Sequence, residues 1–357
     1  MLEALNLRRY RGFESYQMAD LARVNLVVGK NNCGKTSILE AIELLVSGGR
    51  VSALRESAVR RGELDENVSY GVDISHVFHG HHCTPGADFE LSSPGTLRRL
   101  EGKILALDDI GDATADRWLA MAKRRRRFDS DEEPPTAFGL SLIPDGQQPI
   151  VLPITENGSL LDRFGGHTPS SQIPGRVARF LNFLPPSMLN AWNAVLAEGR
   201  EAEVVEAMRI LMPEIDSIHF LAGGRRNGIL VGQRNVAPRL PLGSYGDGMR
   251  RLLAISLALA STRDGCLLID EIDTGLHWTV MEDMWRLVIE AAKRSNVQVF
   301  ATTHSLDCVK GLGTLIRSRP DLAKLAAVQK IHQSLDQAVR VAGEDISIAV
   351  EQDIEVR

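Results

Sequence analysis

The chain has 357 residues, 44% of them apolar and 24% charged, with a net charge of −5 and only 5% aromatics. That length holds one large domain or two ordinary ones with ample core, and the balance is that of a soluble globular protein. The negative charge and sparse aromatics exclude a uniformly basic nucleic-acid binder and a base-stacking platform, so any nucleic-acid contact must use a local patch. Four scattered cysteines without a C-x-x-C pair indicate reduced thiols and a cytoplasmic protein. The first nine residues lack the apolar centre of a signal peptide, and the longest apolar-rich run, residues 252–260, is far below the ~20 residues of a membrane span.

Residues 2–7 read as a short strand and Tyr10-Arg11-Gly12-Phe13 as a turn. Arg11 there suits either a phosphate or neighbouring-chain contact or an ordinary solvated arginine. Residues 24–28 form a β-branched, apolar run that predicts a buried strand. Directly after it comes Gly29-Lys30-Asn31-Asn32-Cys33-Gly34-Lys35-Thr36, which fits G-x-x-x-x-G-K-[ST], and residues 36–46 then show a helical stripe of Ile38, Leu39, Ile42, Leu45 and Val46 ended by Gly48-Gly49. Strand, glycine loop and helix start make an anion site, where backbone N–H groups and the helix dipole face phosphates. Within this loop, taken through Ser37, Lys35 is placed to reach the β and γ phosphates of ATP and Thr36 to set its hydroxyl on Mg²⁺.

Further on, residues 72–78 alternate as a strand with Val72, Ile74, His76 and Phe78 on one face. His79-Gly80-His81-His82-Cys83 bunches potential ligands too tightly for the usual tetrahedral zinc patterns. It reads as a polar loop, with a metal site or a γ-phosphate-sensing loop as alternatives. Strand-like runs at 89–91, 103–107, 138–143 and 150–154, separated by turn residues, suggest an antiparallel sheet. Lys123-Arg124-Arg125-Arg126-Arg127 is followed by an acidic, proline-containing stretch. It reads as a solvated, self-compensating loop, with a DNA-phosphate or protein contact as the alternative. Residues 159–175 are a Gly/Ser/Pro-rich loop, and residues 177–184 and 187–211 read as helices on either side of Pro185-Pro186.

Residues 240–250, PLGSYGDGMR within them, present Ser244, Gly246 and Gly248 ahead of a helix with Met249, Leu252, Leu253, Ser256 and Leu257 on one face. This is a second anion nest, and one nucleotide rarely needs two from one polypeptide. It makes sense if it closes on the γ-phosphate held by another subunit; the bland alternative is a glycine turn capping a helix. Cys266-Leu267-Leu268-Ile269-Asp270-Glu271 is an apolar strand ending in two acids. Asp270 is placed to hold Mg²⁺ and Glu271 to act as general base on water. The next buried strand, residues 297–301, leads into Thr302-Thr303-His304-Ser305, which puts His304 beside the γ-phosphate.

In this order, residues 29–36, 244–248, 267–271 and His304 resemble the ATP-binding-cassette (ABC) ATPases, and more narrowly the soluble branch holding RecF, the structural-maintenance-of-chromosomes (SMC) proteins and the overcoming-lysogenization-defect (OLD) ATPases. PLGSYGDGMRRLLAISLALA, LLIDEIDTGLH and VQVFATTHS are most similar to the stand-alone OLD-type ATPases of bacterial anti-phage systems, among them the ATPase of the phage anti-restriction-induced system. The resemblance is specific over residues 1–50 and 240–310 and diffuse over 90–215. It departs from the transporter pattern, since Ser-Tyr-Gly-Asp-Gly replaces Leu-Ser-Gly-Gly-Gln, and no glutamine loop can be placed. Too few residues follow His304 for the Toprim nuclease domain of OLD nucleases.

The expected fold is α/β: an ABC-type ATPase head with a mainly parallel core sheet, an antiparallel sheet and a helical insertion. Its expected segments are 1–85 (phosphate loop), 86–215 (antiparallel sheet and helices) and 216–357 (signature, acidic pair and histidine). The resemblance implies ATP and Mg²⁺, a head-to-tail homodimer or higher oligomer, and a role as sensor and scaffold for a separate Toprim-type or other effector nuclease in anti-phage defence. DNA or a phage protein would be further partners, with no membrane contact. Two other readings remain: a RecF-like repair ATPase that clamps duplex DNA, and an ATP-bound scaffold that hardly turns over.

Overall fold

The computed structural model describes residues 1–65, 71–96, 98–111, 136–160, 177–181, 185–221, 228–332 and 334–352. It opens with β1 (Leu5–Tyr10), β2 (Phe13–Met18), β3 (Val24–Val28), α1 (Lys35–Val46), α2 (Val51–Arg61), β4 (Leu64–Asp65), β5 (Gly71–Asp73), β6 (Asp88–Ser93), β7 (Arg98–Ala106), β8 (Thr136–Pro144), β9 (Ile150–Thr155) and β10 (Ser159–Leu160). Then follow β11 (Ala178–Phe180), α3 (Pro185–Ala197), α4 (Glu201–Arg209), β12 (Ile215–Leu221), β13 (Gly228–Gln233), β14 (Val236–Pro241), α5 (Asp247–Ser261), β15 (Cys266–Ile269), α6 (Met281–Arg294), β16 (Gln298–Thr302), α7 (Leu306–Ser318), β17 (Ala326–Lys330), β18 (Val339–Ala342) and α8 (Gly343–Glu351). Residue contacts divide the chain into two compact units, one of residues 1, 18–39 and 176–357, the other of 2–17 and 40–175.

The first unit is built on a six-stranded sheet of order β11-β15-β16-β3-β17-β18, parallel except for the antiparallel β17–β18 pair. Every residue of β3, β15 and β16 is buried. That is why their sequences are mostly apolar without alternation, with Asn25, Gln298 and Thr302 the buried polar exceptions: a parallel sheet covered on both faces leaves no solvent side. The crossover β15–α6–β16 joins neighbours, while β16–α7–β17 passes over β3. The phosphate-loop strand is therefore central, and the carboxyl ends of β3, β15 and β16 lie side by side at one edge, where open α/β sheets bind ligands. Trp285 of α6 is fully buried and donates its indole N–H to Cys308 O of α7 at 2.8 Å, fixing one helix against the other. Met188, Trp192, Val204 and Met208 of α3 and α4 join the same core as Leu252, Leu253 and Leu257 of α5, and Trp192 stacks on Phe220 of the three-stranded β12-β13-β14 sheet at 5.1 Å.

The other unit carries a nine-stranded sheet of order β2-β1-β6-β7-β8-β9-β10-β5-β4. Neighbours from β1 through β6, β7 and β8 to β9 pair antiparallel, and β6 alternates buried and half-buried residues as a one-faced sheet requires. The strand runs expected at 89–91, 103–107, 138–143 and 150–154 fall in β6, β7, β8 and β9. The core packs Phe89 edge-on against Tyr10 (5.6 Å) and Phe78 (5.5 Å).

Several local expectations need correction. Residues 72–78 are not one strand: β5 ends at Asp73, whose Oδ1 accepts from the Ser75 N–H at 2.8 Å and starts a 3₁₀ turn over Ser75–Val77. A side chain that bonds the backbone two residues on competes directly with the sheet ladder. Ala178–Phe180, expected within a helix, is instead strand β11, paired in parallel with Cys266, Leu267 and Leu268. Local helical propensity there yields to an unfilled sheet edge. Pro185-Pro186 do not separate two helices but open α3, where proline's missing N–H costs nothing. The helix expected over 187–211 is two, broken at Gly199 in the left-handed conformation (φ 67°). Arg11 is neither solvated nor a free phosphate ligand. It is 4% exposed, with Glu40 at 2.9 Å, Glu63 at 2.8 Å and Ser57 Oγ at 3.0 Å. Glu40 is buried on α1, and a buried carboxylate requires a counter-charge, which Arg11 and Arg61 supply.

Candidate functional site

The loop after β3 is shaped by backbone that favours glycine. Gly29 has φ 151° and Gly34 φ 96°, and Asn32 between them is left-handed at 61°. A Cβ on Gly29 would lie 2.6 Å from Ile331 O and 2.8 Å from Cys33 Sγ. The first intrahelical bond of α1 runs from the Ile38 N–H to Gly34 O (3.0 Å), so the turn before it presents the N–H groups that a helix start offers an anion. Lys35, 5% exposed, folds back and donates to Gly29 O and Lys30 O, both at 2.8 Å. Burial lowers the Lys35 ammonium below the ordinary lysine range, while Cys33 and the carboxylates of Asp270 and Glu271 oppose that shift. A phosphate oxygen would replace two neutral carbonyls with a charged acceptor, the stronger partner for an ammonium.

The carboxyl ends of β15 and β16 converge on this loop. Thr36 Oγ1 donates to Asp270 Oδ2 at 3.0 Å across the end of β16, and Thr302, the last residue of β16, donates to Asp270 Oδ1 at 2.5 Å. Thr302 Oγ1 also accepts from the Glu271 N–H at 2.8 Å. Glu271 is left-handed (φ 50°), its side chain is half exposed, and its Oε2 accepts from Thr274 Oγ1 at 3.1 Å. His304 Nε2 lies 3.9 Å from Glu271 Oε1. The backbone around His304 is pinned by Thr303, which donates to Asp273 Oδ1 (2.5 Å) and accepts from the Ser305 N–H (2.9 Å), and by Ser305, which caps α7 through the Cys308 N–H (3.3 Å).

Lys35, Thr36, Asp270, Glu271 and His304 thus gather at one edge of one sheet. Ser244, Gly246 and Gly248 sit outside this chain of hydrogen bonds: Ser244 and Gly246 lie exposed just before α5, and Gly248 is half-buried in its first turn. Two residues of the cluster carry no motif signal, Thr302 and Arg251. Arg251 of α5 donates to the backbone carbonyls of Glu271 and Ile272. The only sequence cue for Thr302 is a hydroxyl at the end of the strand beside the acidic pair.

The donor set fits a hard divalent cation. A hydroxyl and a carboxylate oxygen within hydrogen-bond reach of each other, with phosphates and water completing the sphere, is how Mg²⁺ is held in nucleotide sites. Among the described residues no group of three or more His, Cys, Asp or Glu side chains could hold a metal ion by themselves. The His79–Cys83 loop engages its own unit: His79 Nδ1 is 2.9 Å from Arg11 O, His81 Nδ1 is 3.0 Å from His76 Nδ1, and burial pushes the Cys83 thiol up to about 12. The basic run 123–127 lies outside the described residues, as does most of the 159–175 loop. No helix among the described residues is long and apolar enough to cross a membrane.

Comparison with known proteins bears on the fold and the class. A family model described as "AAA ATPase domain" matches residues 1–90, and one described as "AAA domain, putative AbiEii toxin, Type IV TA system" matches residues 201–307. An "ATP/GTP phosphatase" of Helicobacter pylori is 20% identical over 344 residues, 89% of each chain. The "DNA replication and repair protein RecF" of Acinetobacter baumannii is 24% identical over 344 residues, 85% of this chain and 91% of the relative. The solved structure of an SMC head bound to the C-winged helix domain of ScpA superposes with a TM-score of 0.50 at 14% identity, over 96% of this chain and 98% of the other. The fold is that of an SMC-like, ABC-type ATPase head. The family matches and relatives support an ABC-type ATPase that binds ATP.

Proposed function

We propose that this chain binds ATP·Mg²⁺ in the loop from Gly29 to Ser37 and hydrolyses it slowly at a site that a second copy completes. The observation that carries this reading is the chain Thr36–Asp270–Thr302–Glu271, which joins the phosphate loop to the acidic pair through hydrogen bonds of 3.0, 2.5 and 2.8 Å. Gly29, Lys30, Asn31, Asn32, Cys33 and Gly34 cradle the phosphates with backbone, and Lys35 neutralises the β and γ oxygens. Thr36 and Asp270 hold Mg²⁺, which when bound spreads the charge of the phosphate oxygens. Glu271 accepts a proton from the attacking water, and His304, within 3.9 Å of that carboxylate, faces the γ-phosphate. Ser244, Gly246 and Gly248 of the second copy close the site from the other side. Steady-state turnover tests the assignment: Glu271→Gln keeps size and position but removes the base, so kcat should fall by roughly 10²–10⁴-fold with ATP affinity kept. Unchanged kcat would remove Glu271 from the chemistry.

Biologically, the OLD-type motifs favour an ATP-gated sensor and scaffold for a separate effector nuclease, Toprim-type or other, in anti-phage defence. The SMC head, at least, is a relative of this fold that binds a partner protein. Co-purification of a nuclease encoded beside this chain, lost on Lys35→Ala, tests that role. The RecF relative, matched along 85% of this chain, keeps a duplex-DNA clamp as the second reading. ATP-dependent DNA binding whose log–log salt slope reports several phosphate contacts would favour it.

A further inference from the structure

The backbone of Glu271 is held from both sides. Its φ of 50° is uncommon for a residue with a side chain and persists only where the surroundings enforce it. On the amino side, its N–H donates to Thr302 Oγ1 at 2.8 Å, and the Ile272 N–H donates to Thr302 O at 3.0 Å. On the carboxyl side, the Thr274 N–H donates to Glu271 O at 3.2 Å in the turn, and one side chain adds two further bonds. Arg251 Nη2 donates to Glu271 O, and Arg251 Nε donates to Ile272 O at 3.2 Å. The planar guanidinium fork suits two successive carbonyls in a way a single ammonium cannot. Arg251 lies one helical turn beyond Asp247, the first residue of α5, while its neighbour Arg250 faces outward and pairs with Asp247 at 3.5 Å.

We propose that Arg251 is a positioning residue for Glu271: it helps fix the left-handed turn that aims the Glu271 carboxylate at Thr274 and His304, and it ties that aim to the helix that Ser244 and Gly246 lead into and whose first turn carries Gly248. This rests on the reading of Glu271 as general base. Arg251 acts on Glu271 through the carbonyls of Glu271 and Ile272. A shift of the α5 start, as a second copy's nucleotide engages it, is passed by this side chain to the backbone of Glu271 in the same chain.

The test is a double-mutant cycle on the full chain. Arg251→Met keeps the length of the stem and removes the fork. It should lower kcat roughly 10–100-fold, with KM and the calorimetric ATP affinity changed by less than about threefold, because the loss falls on the transition state alone. Arg251→Lys, which can hold one carbonyl, should fall between Arg251→Met and wild type. In the Glu271→Gln background either change should alter residual turnover less than about twofold, since no base is left to aim. Should Arg251→Met fail to fold, the Arg251→Lys arm of the cycle decides alone: its kcat loss must vanish in the Glu271→Gln background. A large Glu271→Gln defect with Arg251 variants at wild-type kcat overturns the role of Arg251 and leaves Glu271 standing. So does a loss that stays fully additive with Glu271→Gln. Equal turnover by wild type and Glu271→Gln overturns the base assignment and Arg251's role with it.

Discussion

Two glycine turns in this chain read as anion nests, and the structure makes them very different objects. The first, residues 29–34, is walled in. Its cation Lys35 is buried and already bonded to loop carbonyls, its helix carries Thr36 against Asp270, and Gly29 has backbone pressed against it. The second, residues 243–248, is open at Gly243 and Gly246, though Gly248 is half-buried beside Leu276 and Gly275. A Cβ on Gly243 would meet nothing closer than the end of the Arg250 side chain at 3.8 Å, and one on Gly246 would meet nothing within 4 Å. Arg250 beside it is half exposed and paired with Asp247. A nest that brings its own cation, metal ligands and walls can hold a polyphosphate unaided. A nest of exposed backbone and one serine at a helix start has only partial charge to offer, and becomes useful when pressed against a nucleotide fixed elsewhere. That contrast is the physical case for a site shared between copies.

The largest effects should come from separating the two nests into different chains. In the shared-site model Ser244 touches only the partner's nucleotide. Ser244→Arg should therefore leave ATP binding intact and abolish turnover, as Glu271→Gln does, while Glu271→Gln also lets the nucleotide-linked dimer accumulate on size-exclusion chromatography. A purified heterodimer with Ser244→Arg in one chain and Glu271→Gln in the other has one site with both residues intact. It should regain up to half the wild-type activity, a rise of at least tenfold over either homodimer. Placing both changes in one chain and leaving the other wild type spoils each site once, and activity should stay at background. The opposite pattern would show that each chain works alone.

The next effect is on binding. Lys35→Ala removes the buried cation of the closed nest, and ATP affinity should fall by about 10²-fold or more, the scale of a charge-assisted contact worth about 3 kcal/mol. Neutralising Arg250 at the open nest should change affinity less than about threefold by calorimetry, since that guanidinium is half exposed. Equal losses at the two positions would erase the distinction drawn between them.

How much of this could be read from residues alone depended on how local the cause was. The phosphate loop, the acidic strand end and the histidine were legible because each is a short motif on one strand end, and buried parallel strands announce themselves as mostly apolar runs without alternation. The helix of α5 was legible from its spacing. What was hidden depends on partners distant in sequence. Ala178–Phe180 becomes a strand because β15 offers an edge 88 residues away, Ala178 to Cys266. Arg11 is drawn inward by Glu40 and Glu63, which no local pattern around Tyr10-Arg11-Gly12 encodes. Arg251 carries no local signal, and its fork is explained by the carbonyls of the left-handed Glu271 and of Ile272, which follow strand β15.

The smallest effect discriminates the two nests by sterics alone. Gly29→Ala forces a Cβ to within 2.6 Å of a main-chain oxygen, Ile331 O, and holds a side-chain residue at φ 151°. Neither can relax cheaply, because the oxygen belongs to the chain leaving β17, the strand paired along β3. The cost should be about 2–3 kcal/mol, a fall of several degrees in Tm, with weaker ATP binding as the loop is pushed out of shape. Gly243→Ala has room for its methyl and lies outside the left-handed region, so stability should stay within about 0.5 kcal/mol of wild type. ATP affinity should also be unchanged, since the open nest holds no nucleotide of its own chain. Turnover is where this variant should differ, falling a few-fold as the added methyl thickens a surface meant to close on the partner's phosphates. A Gly243→Ala protein with wild-type stability and lowered ATP affinity would mean that the open nest touches its own chain's nucleotide, and the two turns would then serve one site within a single chain.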